Sequence, residues 1–208
     1  MTRTHLLLAV TIAAGGAPTM AQAQARAFEI RNDGGSRIQF VSDAPLETIT
    51  GVSSDVSGQL RVDPANLSAA RGRVAVRVAS LRTGIDLRDE HLRSDNWLDA
   101  LRHPEAVFEI VRIEGATSIS PNQNVSLRVR GRFTIHGVTR DVVARARVRF
   151  MPITPEMRAA HVNGDVIVVQ ASFSISLGQF GVSVPAIVRL KVSDDIRVNV
   201  SLRAVAST

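Results

Sequence analysis

Apolar and polar side chains alternate with a period of two along residues 125–150, first along one segment and then back along another. The apolar positions of the two segments are Val125, Leu127, Val129, Phe133 and Ile135, then Val142, Ala144, Ala146, Val148 and Phe150. Arginine fills most of the intervening positions. Since a period of two gives a β-strand one dry face, these residues predict an antiparallel hairpin that turns at residues 136–139.

The same alternation recurs before and after the hairpin, in runs around residues 28–30, 38–40, 60–62, 74–78, 108–110, 167–177 and 196–202. Turn-forming residues separate several of these runs, at positions 32–35, 63–66 and 163–165. Eight or more strands with short connections predict an all-β antiparallel sandwich or barrel.

Residues 83–104 lose the two-residue period and end at a proline, so one or two short helices are expected around residues 84–102. Ser94 or Asp95 is the expected cap of the second helix. The apolar residues of this segment are expected to face the barrel: Leu92, Trp97, Leu98 and Leu101. Residues 154–157 fit a short helix or a loop equally well, since Pro155 suits a first helical position.

Residues 1–25 have the layout of a secretory signal peptide: Arg3 near the start, an apolar stretch, and small residues at a cleavage site such as Ala21-Gln22-Ala23. The protein is therefore predicted to be exported to the periplasm or secreted. Residues 26–208 suit a single domain with a full core. The chain has no cysteine, which excludes disulfides and thiolate chemistry.

Arginine dominates the positive charge: the chain has 25 Lys and Arg against 19 Asp and Glu, and Lys191 is the only lysine. Nucleic-acid-binding sheets stack bases on exposed aromatic side chains, whereas this chain has no Tyr and one Trp, so a solvated exterior is favoured over a nucleic-acid surface. An outer-membrane barrel is disfavoured too, because its lumen would be crowded with arginines, and no stable membrane insertion is expected.

Sequence motifs of catalysis are absent: there is no Gly-x-Ser-x-Gly elbow, glycine-rich phosphate loop or His-Glu-x-x-His helix. No histidine has a second histidine three or four residues away, so a metal site would need distant segments. His91 has three acids near it, but a surface cluster with Arg88 and Arg93 is favoured there. No catalytic residue, metal site or cofactor is therefore predicted.

Two segments resemble conserved motifs of the YceI-like family. The first runs through Thr83-Gly84, residues 88–94, residues 97–100, His103-Pro104 and Phe108, and the second is residues 131–139, GRFTIHGVT. The resemblance covers roughly residues 26 to 205. It implies an exported, lipocalin-like antiparallel barrel of eight strands, which in related proteins holds a long isoprenoid or another long lipid in an internal tunnel.

The chain departs from that family pattern at two places. His103 stands where many members have a tyrosine before the proline, and Leu177-Gly178-Gln179-Phe180-Gly181 stands where many have Arg-Asp-Phe-Gly. Because the arginine and the acid of that motif are missing, the identity of the lipid is not carried over from the family.

The leading hypothesis is non-catalytic binding, sequestration or transport of a long-chain isoprenoid or similar lipid. The predicted cavity lining is Phe40, Val76, Val78, Leu92, Trp97, Leu98, Phe108, Ile110, Leu127, Val129, Phe133, Ile135, Phe173 and Ile175. Small inward residues are expected to leave volume open, namely Gly131, Ala144, Ala146, Ala171 and Ser172 or its neighbours.

Arg88, Asp89 and His91 are expected first to fix the helical segment over the barrel and second to meet a lipid head group. Two alternatives stay open: an enzyme acting on a lipid-like substrate in the same cavity, and a stress-related interaction protein with a filled core. The oligomeric state is also open, with a homodimer among the options.

Overall fold

Ten antiparallel strands make up most of residues 25–207, the part of the chain that this computed structural model describes. The strands are β1 (Arg26–Ile30), β2 (Arg37–Asp43), β3 (Thr48–Ser53), β4 (Val56–Asp63), β5 (Asn66–Arg77), β6 (Glu105–Glu114), β7 (Asn124–Ile135), β8 (Val138–Met151), β9 (Val166–Ser176) and β10 (Asp195–Ala206). Two α-helices, α1 (Asp86–Arg93) and α2 (Pro155–Ala159), and three short 3-10 helices lie in the connections. Residues 1–24, which include nearly all of the predicted signal peptide, lie outside the described residues.

The strands form a closed ring in the order β1, β4, β5, β6, β7, β8, β9, β10. Pairing of β1 with β10, with Phe28 opposite Ala206, closes it. β2 pairs with the first half of β10, and β3 pairs with β2. The registers therefore make β1 and β2 two lengths of one interrupted barrel strand, and β3 and β4 two lengths of the next. The predicted eight-stranded antiparallel barrel is confirmed.

The hairpin of β7 and β8 has the predicted faces, with the apolar residues inward and Arg145, Arg147 and Arg149 exposed. Its turn is tighter than predicted, because β8 already begins at Val138. The two residues of the turn, His136 and Gly137, have φ values of 53° and 73°. Positive φ at both positions suits the right-handed twist of the two strands, as in a type I′ turn.

The segment between β5 and β6 contains one α-helix, α1, and residues 95–102 form turns where a second helix was considered. Ser94 ends α1, with its hydroxyl donating to the carbonyl of His91, and so does not cap a second helix. The expectation for Leu101 is wrong, since this side chain is 96% exposed. α2 forms after Thr154, whose hydroxyl accepts from the Met157 backbone N–H.

Within residues 25–207, no helix has the length and apolar character needed to cross a lipid bilayer.

Gly131, the glycine of β7, has no room for a Cβ atom. A Cβ there would lie 2.4 Å from Cζ of Phe108 and 2.6 Å from the backbone oxygen of Glu109. We expect Gly131→Ala to lower the free energy of unfolding by about 1–3 kcal/mol, the usual cost of overpacking. Denaturant unfolding measures this, with Gly178→Ala as control because its Cβ would meet nothing closer than 3.5 Å. Equal effects of the two variants would contradict the prediction.

Candidate functional site

Four connections meet at the end of the barrel where β7 turns into β8, which we name the upper end. Neighbouring strands alternate in direction, so the β2–β3 turn, residues 78–104 and residues 177–194 lie at this end with the β7–β8 turn. Two of these connections are long, whereas the turns of β2–β3 and β7–β8 are short. The upper end of the barrel is therefore covered by two long connections, residues 78–104 and residues 177–194.

The barrel encloses a cavity of about 230 Å³, and all 34 residues that line it are apolar. The side chains come from every position around the ring and from the connections at the upper end. Thirteen residues of the predicted lining are among them: Phe40, Val76, Leu92, Trp97, Leu98, Phe108, Ile110, Leu127, Val129, Phe133, Ile135, Phe173 and Ile175. Val78 is fully buried in the 3-10 helix after β5 and does not line the cavity.

Small side chains line part of the cavity and glycines do not. Ala144, Ala146 and Ala171 are lining residues, whereas Ser172 is not. The space beside Gly131 is filled by the ring of Phe108. Gly51 is likewise covered by the ring of Phe40, the residue opposite it in β2. The expectation that Gly131 leaves open volume is therefore wrong, because a large neighbour folds over the missing side chain.

An aromatic cluster crosses the upper half of the interior. The ring centroids of Phe108 and Phe173 are 5.7 Å apart, those of Phe133 and Phe173 5.2 Å, and those of Phe133 and Phe180 5.7 Å. Phe180 belongs to the long connection at the upper end and is 1% exposed. The two pairs that include Phe133 pack edge to face, an arrangement that aromatic rings favour, and Phe108, Phe133 and Phe173 line the cavity.

Asp89 fastens α1 to the residues before it. Its Oδ1 accepts hydrogen bonds from the backbone N–H of Thr83, at 2.7 Å, and from the Thr83 hydroxyl, at 2.6 Å. Burial raises the pKa of Asp89, but the bonds from Thr83 and the charges of Arg82 and Arg93 outweigh it, so the pKa lies below its ordinary value. The carboxylate therefore stays ionised while 98% of the residue is out of solvent.

Arg88 links α1 to the β2–β3 turn. Its Nη1 donates to Oε1 of Glu47 at 2.5 Å, and its Nε donates to the Thr83 hydroxyl at 3.1 Å. His91, on the same helix, is exposed, and its side chain has no hydrogen-bond partner among residues 25–207. Arg88 and Asp89 thus hold the segment over the barrel, while the imidazole of His91 faces solvent.

A cluster that the sequence reasoning missed lies at the same end: Asp99, His103 and His136, with possible ligand atoms all within 4.8 Å of one another. Burial raises the pKa of Asp99, but the backbone N–H and guanidinium of Arg102 and the charge of His103 bring that pKa below its ordinary value. The signal in the sequence is the aspartate four residues before His103, which a search for histidine pairs passes over. His136 joins them through the fold alone.

Exposed apolar side chains are concentrated at the upper end. Within residues 25–207, the large exposed Leu and Ile side chains all lie in its connections: Leu46, Ile85, Leu87, Leu101, Ile187 and Leu190. The backbone N–H of Leu46 donates to the carbonyl of Leu190 at 2.8 Å, so two of these residues are neighbours. Leu87 precedes Arg88, which contacts Glu47 beside Leu46. We name these six residues the apolar rim.

Comparison with known proteins gives a consistent set of relatives. The family model described as a YceI-like domain matches residues 30–204. A UPF0312 protein of Pseudomonas fluorescens is 33% identical over 106 residues, which are 51% of this chain and 53% of that protein. A UPF0312 protein of Vibrio parahaemolyticus is 32% identical over 126 residues, 60% of this chain and 64% of that protein. These alignments span about half to two thirds of the relatives' length.

Solved structures share the fold at lower identity. A polyisoprenoid binding domain from Saccharophagus degradans has a TM-score of 0.66 at 16% identity, covering 88% of this chain and 99% of that one. Burkholderia cenocepacia BcnA has a TM-score of 0.65 at 21% identity, covering 84% and 98%. The Campylobacter jejuni YceI protein has a TM-score of 0.62 at 23% identity, covering 77% and 85%. At these identities the likeness concerns the fold.

Removing the Asp89 side chain leaves two partly buried donors of Thr83 without their acceptor. We expect Asp89→Ala to lower the free energy of unfolding by about 1–3 kcal/mol at pH 7, as measured by urea unfolding. Because the folded-state pKa of Asp89 lies below its unfolded value, its charge stabilises the fold above the unfolded pKa of about 3.9 and ceases to do so as the pH falls through the folded pKa.

Asp89→Asn replaces the carboxylate by an amide and so removes the charge. The difference in the free energy of unfolding between the wild type and Asp89→Asn should therefore be smaller at pH 3 than at pH 7. Asp86→Asn, an exposed position in the first turn of α1, is the matched control and should change stability little. A stability difference for Asp89→Asn that stays constant between pH 7 and pH 3 would refute the role given to its charge.

Proposed function

The chain belongs to the YceI-like family, and on that basis we propose that it binds a long-chain isoprenoid or a similar lipid in its cavity, as an exported carrier or sequestering protein without catalysis. The observation that carries this proposal is the lining of the cavity, which is apolar throughout. The related domain from Saccharophagus degradans, described as polyisoprenoid-binding, supports the choice of ligand class.

Burial of hydrocarbon alone supplies enough free energy for binding. Each methylene group transferred from water is worth about 0.8 kcal/mol, so ten methylenes give about 8 kcal/mol before the entropic cost of association. No lining residue carries an ionisable group that could fix a head group inside. Affinity is therefore expected to depend on chain length, with the polar head left at the upper end.

The shape of the cavity favours a slim ligand. Its volume of about 230 Å³ is just below the range of about 300–1,000 Å³ common for small-molecule sites. The large rings of Phe108, Phe133 and Phe173 take up lining positions in the upper half. A single linear or prenyl chain fits such a space better than a fused ring system.

The two alternatives have less support. An enzyme acting in the cavity would need a nucleophile or an acid–base pair among the lining residues, and the lining provides aliphatic, phenylalanine and tryptophan side chains. A filled core would leave no continuous space between the strands. We therefore favour binding over catalysis.

The upper end is the proposed entrance, because the apolar rim lies in its connections. Leucine and isoleucine side chains exposed to water cost free energy, so a cluster of them marks an interaction surface. Arg189 and Lys191 stand next to Leu190 in the sequence and are exposed. Apolar side chains beside cations suit brief contact with an anionic lipid surface, from which a lipid could pass into the cavity.

Filling the cavity from β8 should weaken lipid binding. Ala146 lines the cavity, whereas Val143 on the same strand is 43% exposed. We expect Ala146→Phe to weaken binding of geranylgeraniol at least tenfold, and Val143→Phe to bind it as the wild type does. Trp97 is the only tryptophan and lines the cavity, so its fluorescence measures binding.

Overpacking at Ala146 costs about 1–3 kcal/mol, so a smaller enlargement of the same cavity, Ala171→Leu, is tested as well, and thermal unfolding checks that both variants fold. Native mass spectrometry of protein purified from its own host, followed by lipid extraction, identifies the ligand independently. A protein that is recovered empty and also takes up no prenyl lipid would rule out the proposal.

The rim should control the rate of lipid transfer more than the affinity. We expect the double variant Leu46→Ser and Leu190→Ser to take up a fluorescent prenyl lipid from phosphatidylglycerol-containing vesicles several-fold more slowly than the wild type. Its equilibrium affinity for the same lipid in detergent solution should be unchanged. Val143→Ser, which removes an exposed apolar side chain away from the rim, is the control. Uptake at the wild-type rate by the double variant would contradict an entrance at this end.

A further inference from the structure

The cluster of Asp99, His103 and His136 has the composition and spacing of a zinc site. Its three possible ligand atoms lie within 4.8 Å of one another, and they are one carboxylate oxygen and two imidazole nitrogens. Ligands of a tetrahedral zinc ion are about 3.3 Å apart, given zinc–nitrogen distances of about 2.0–2.1 Å. Small side-chain rotations would therefore bring the three atoms to bonding positions.

The two imidazole rings already have the mutual geometry of a shared metal. Their centroids are 5.4 Å apart and their planes meet at 75°. Two imidazoles bound to one tetrahedral zinc ion have centroids about 5 Å apart, from the same bond lengths. His103 is held there by the hairpin, since its Cε1 lies 2.5 Å from the place where a Cβ of Gly137 would be.

His136 is in the tautomer that leaves a nitrogen for a metal. Its Nδ1 lies 3.2 Å from the backbone oxygen of Phe180. A carbonyl oxygen can only accept, so in the neutral imidazole Nδ1 carries the proton and Nε2 has the lone pair. Metal-binding histidines commonly donate their second nitrogen to a carbonyl in this way, which orients the ring. The His103 side chain has no hydrogen-bond partner within residues 25–207.

Asp99 supplies a buried carboxylate whose present partner is easily displaced. The residue is 4% exposed, and its two oxygens accept from the backbone N–H and from the Nε of Arg102. The Arg102 side chain is 74% exposed, so its guanidinium can move into solvent at little cost. A divalent cation would then replace one positive charge at Oδ2, while the backbone N–H still orients Oδ1.

We propose that Asp99, His103 and His136 bind one zinc-class divalent cation, with a solvent molecule as the fourth ligand, and that this cation clamps residues 95–104 onto the β7–β8 turn. Two ligands come from the segment that carries the lining residues Trp97 and Leu98, and the third comes from the β7–β8 turn. The metal would therefore tie down part of the cover over the cavity. It needs no lipid to bind, so it stands apart from the function proposed above.

Titration calorimetry with zinc chloride at pH 7.5, on chelator-treated mature protein, tests the proposal. We expect one zinc ion per chain with micromolar or tighter affinity, loss of at least tenfold in His103→Gln and His136→Asn, and no change in His91→Gln. Asparagine is chosen at position 136 because it tolerates positive φ, which keeps the turn. Cobalt absorption provides a second readout, since tetrahedral coordination gives it strong visible bands.

The variant Arg102→Gln distinguishes a metal site from a cluster that only stabilises the fold, because its zinc affinity should rise. Removing the competing guanidinium should tighten zinc binding several-fold, although the same change takes an ion-pair partner from Asp99. Zinc should also raise the thermal midpoint of the wild type and of Arg102→Gln, and leave that of His103→Gln unchanged. Zinc affinity that is millimolar, that persists in His103→Gln, or that disappears in His91→Gln would overturn the assignment.

Discussion

Closure of the sheet between β1 and β10 is the interaction on which the rest of the structure depends. Once Phe28 faces Ala206 across this seam, the barrel has an inside, and alternation along each strand assigns every second residue to it. The inward positions are apolar around the ring and the outward ones carry the arginines. The ion pairs of Glu114 with Arg112 and Arg130 are correspondingly at the outer surface, where water screens them.

An open cavity inside such a small barrel reflects the sizes of the inward side chains. Phe40 and Phe108 cover glycines of the neighbouring strands, while the small side chains of Ala144 and Ala146 on β8 and of Ala171 on β9 line the open space. A close-packed interior would remove that space, and protein cores normally do so. The cavity therefore exists because the inward side chains are too small to fill the barrel. Since these side chains are all apolar, the space suits a hydrocarbon ligand.

The connections at the upper end are held by polar contacts, in contrast with the apolar barrel. Asp89 binds Thr83, Arg88 binds Glu47, and Asp99 lies beside His103 and His136. Hydrogen bonds and ion pairs are directional, so these contacts fix the position of each connection over the barrel.

The amino-acid sequence by itself determined the strands, their inward faces and most of the cavity lining, because alternation is a local property of extended backbone. It could not show that Phe108 folds over Gly131, that Leu101 points to solvent, or that Val78 lies behind the lining. Those outcomes depend on packing between segments distant in sequence. For the same reason only the tertiary structure brought His136 to Asp99 and His103, since the pairing of β6 with β7, with Val107 opposite Thr134, sets the hairpin turn against the segment before β6.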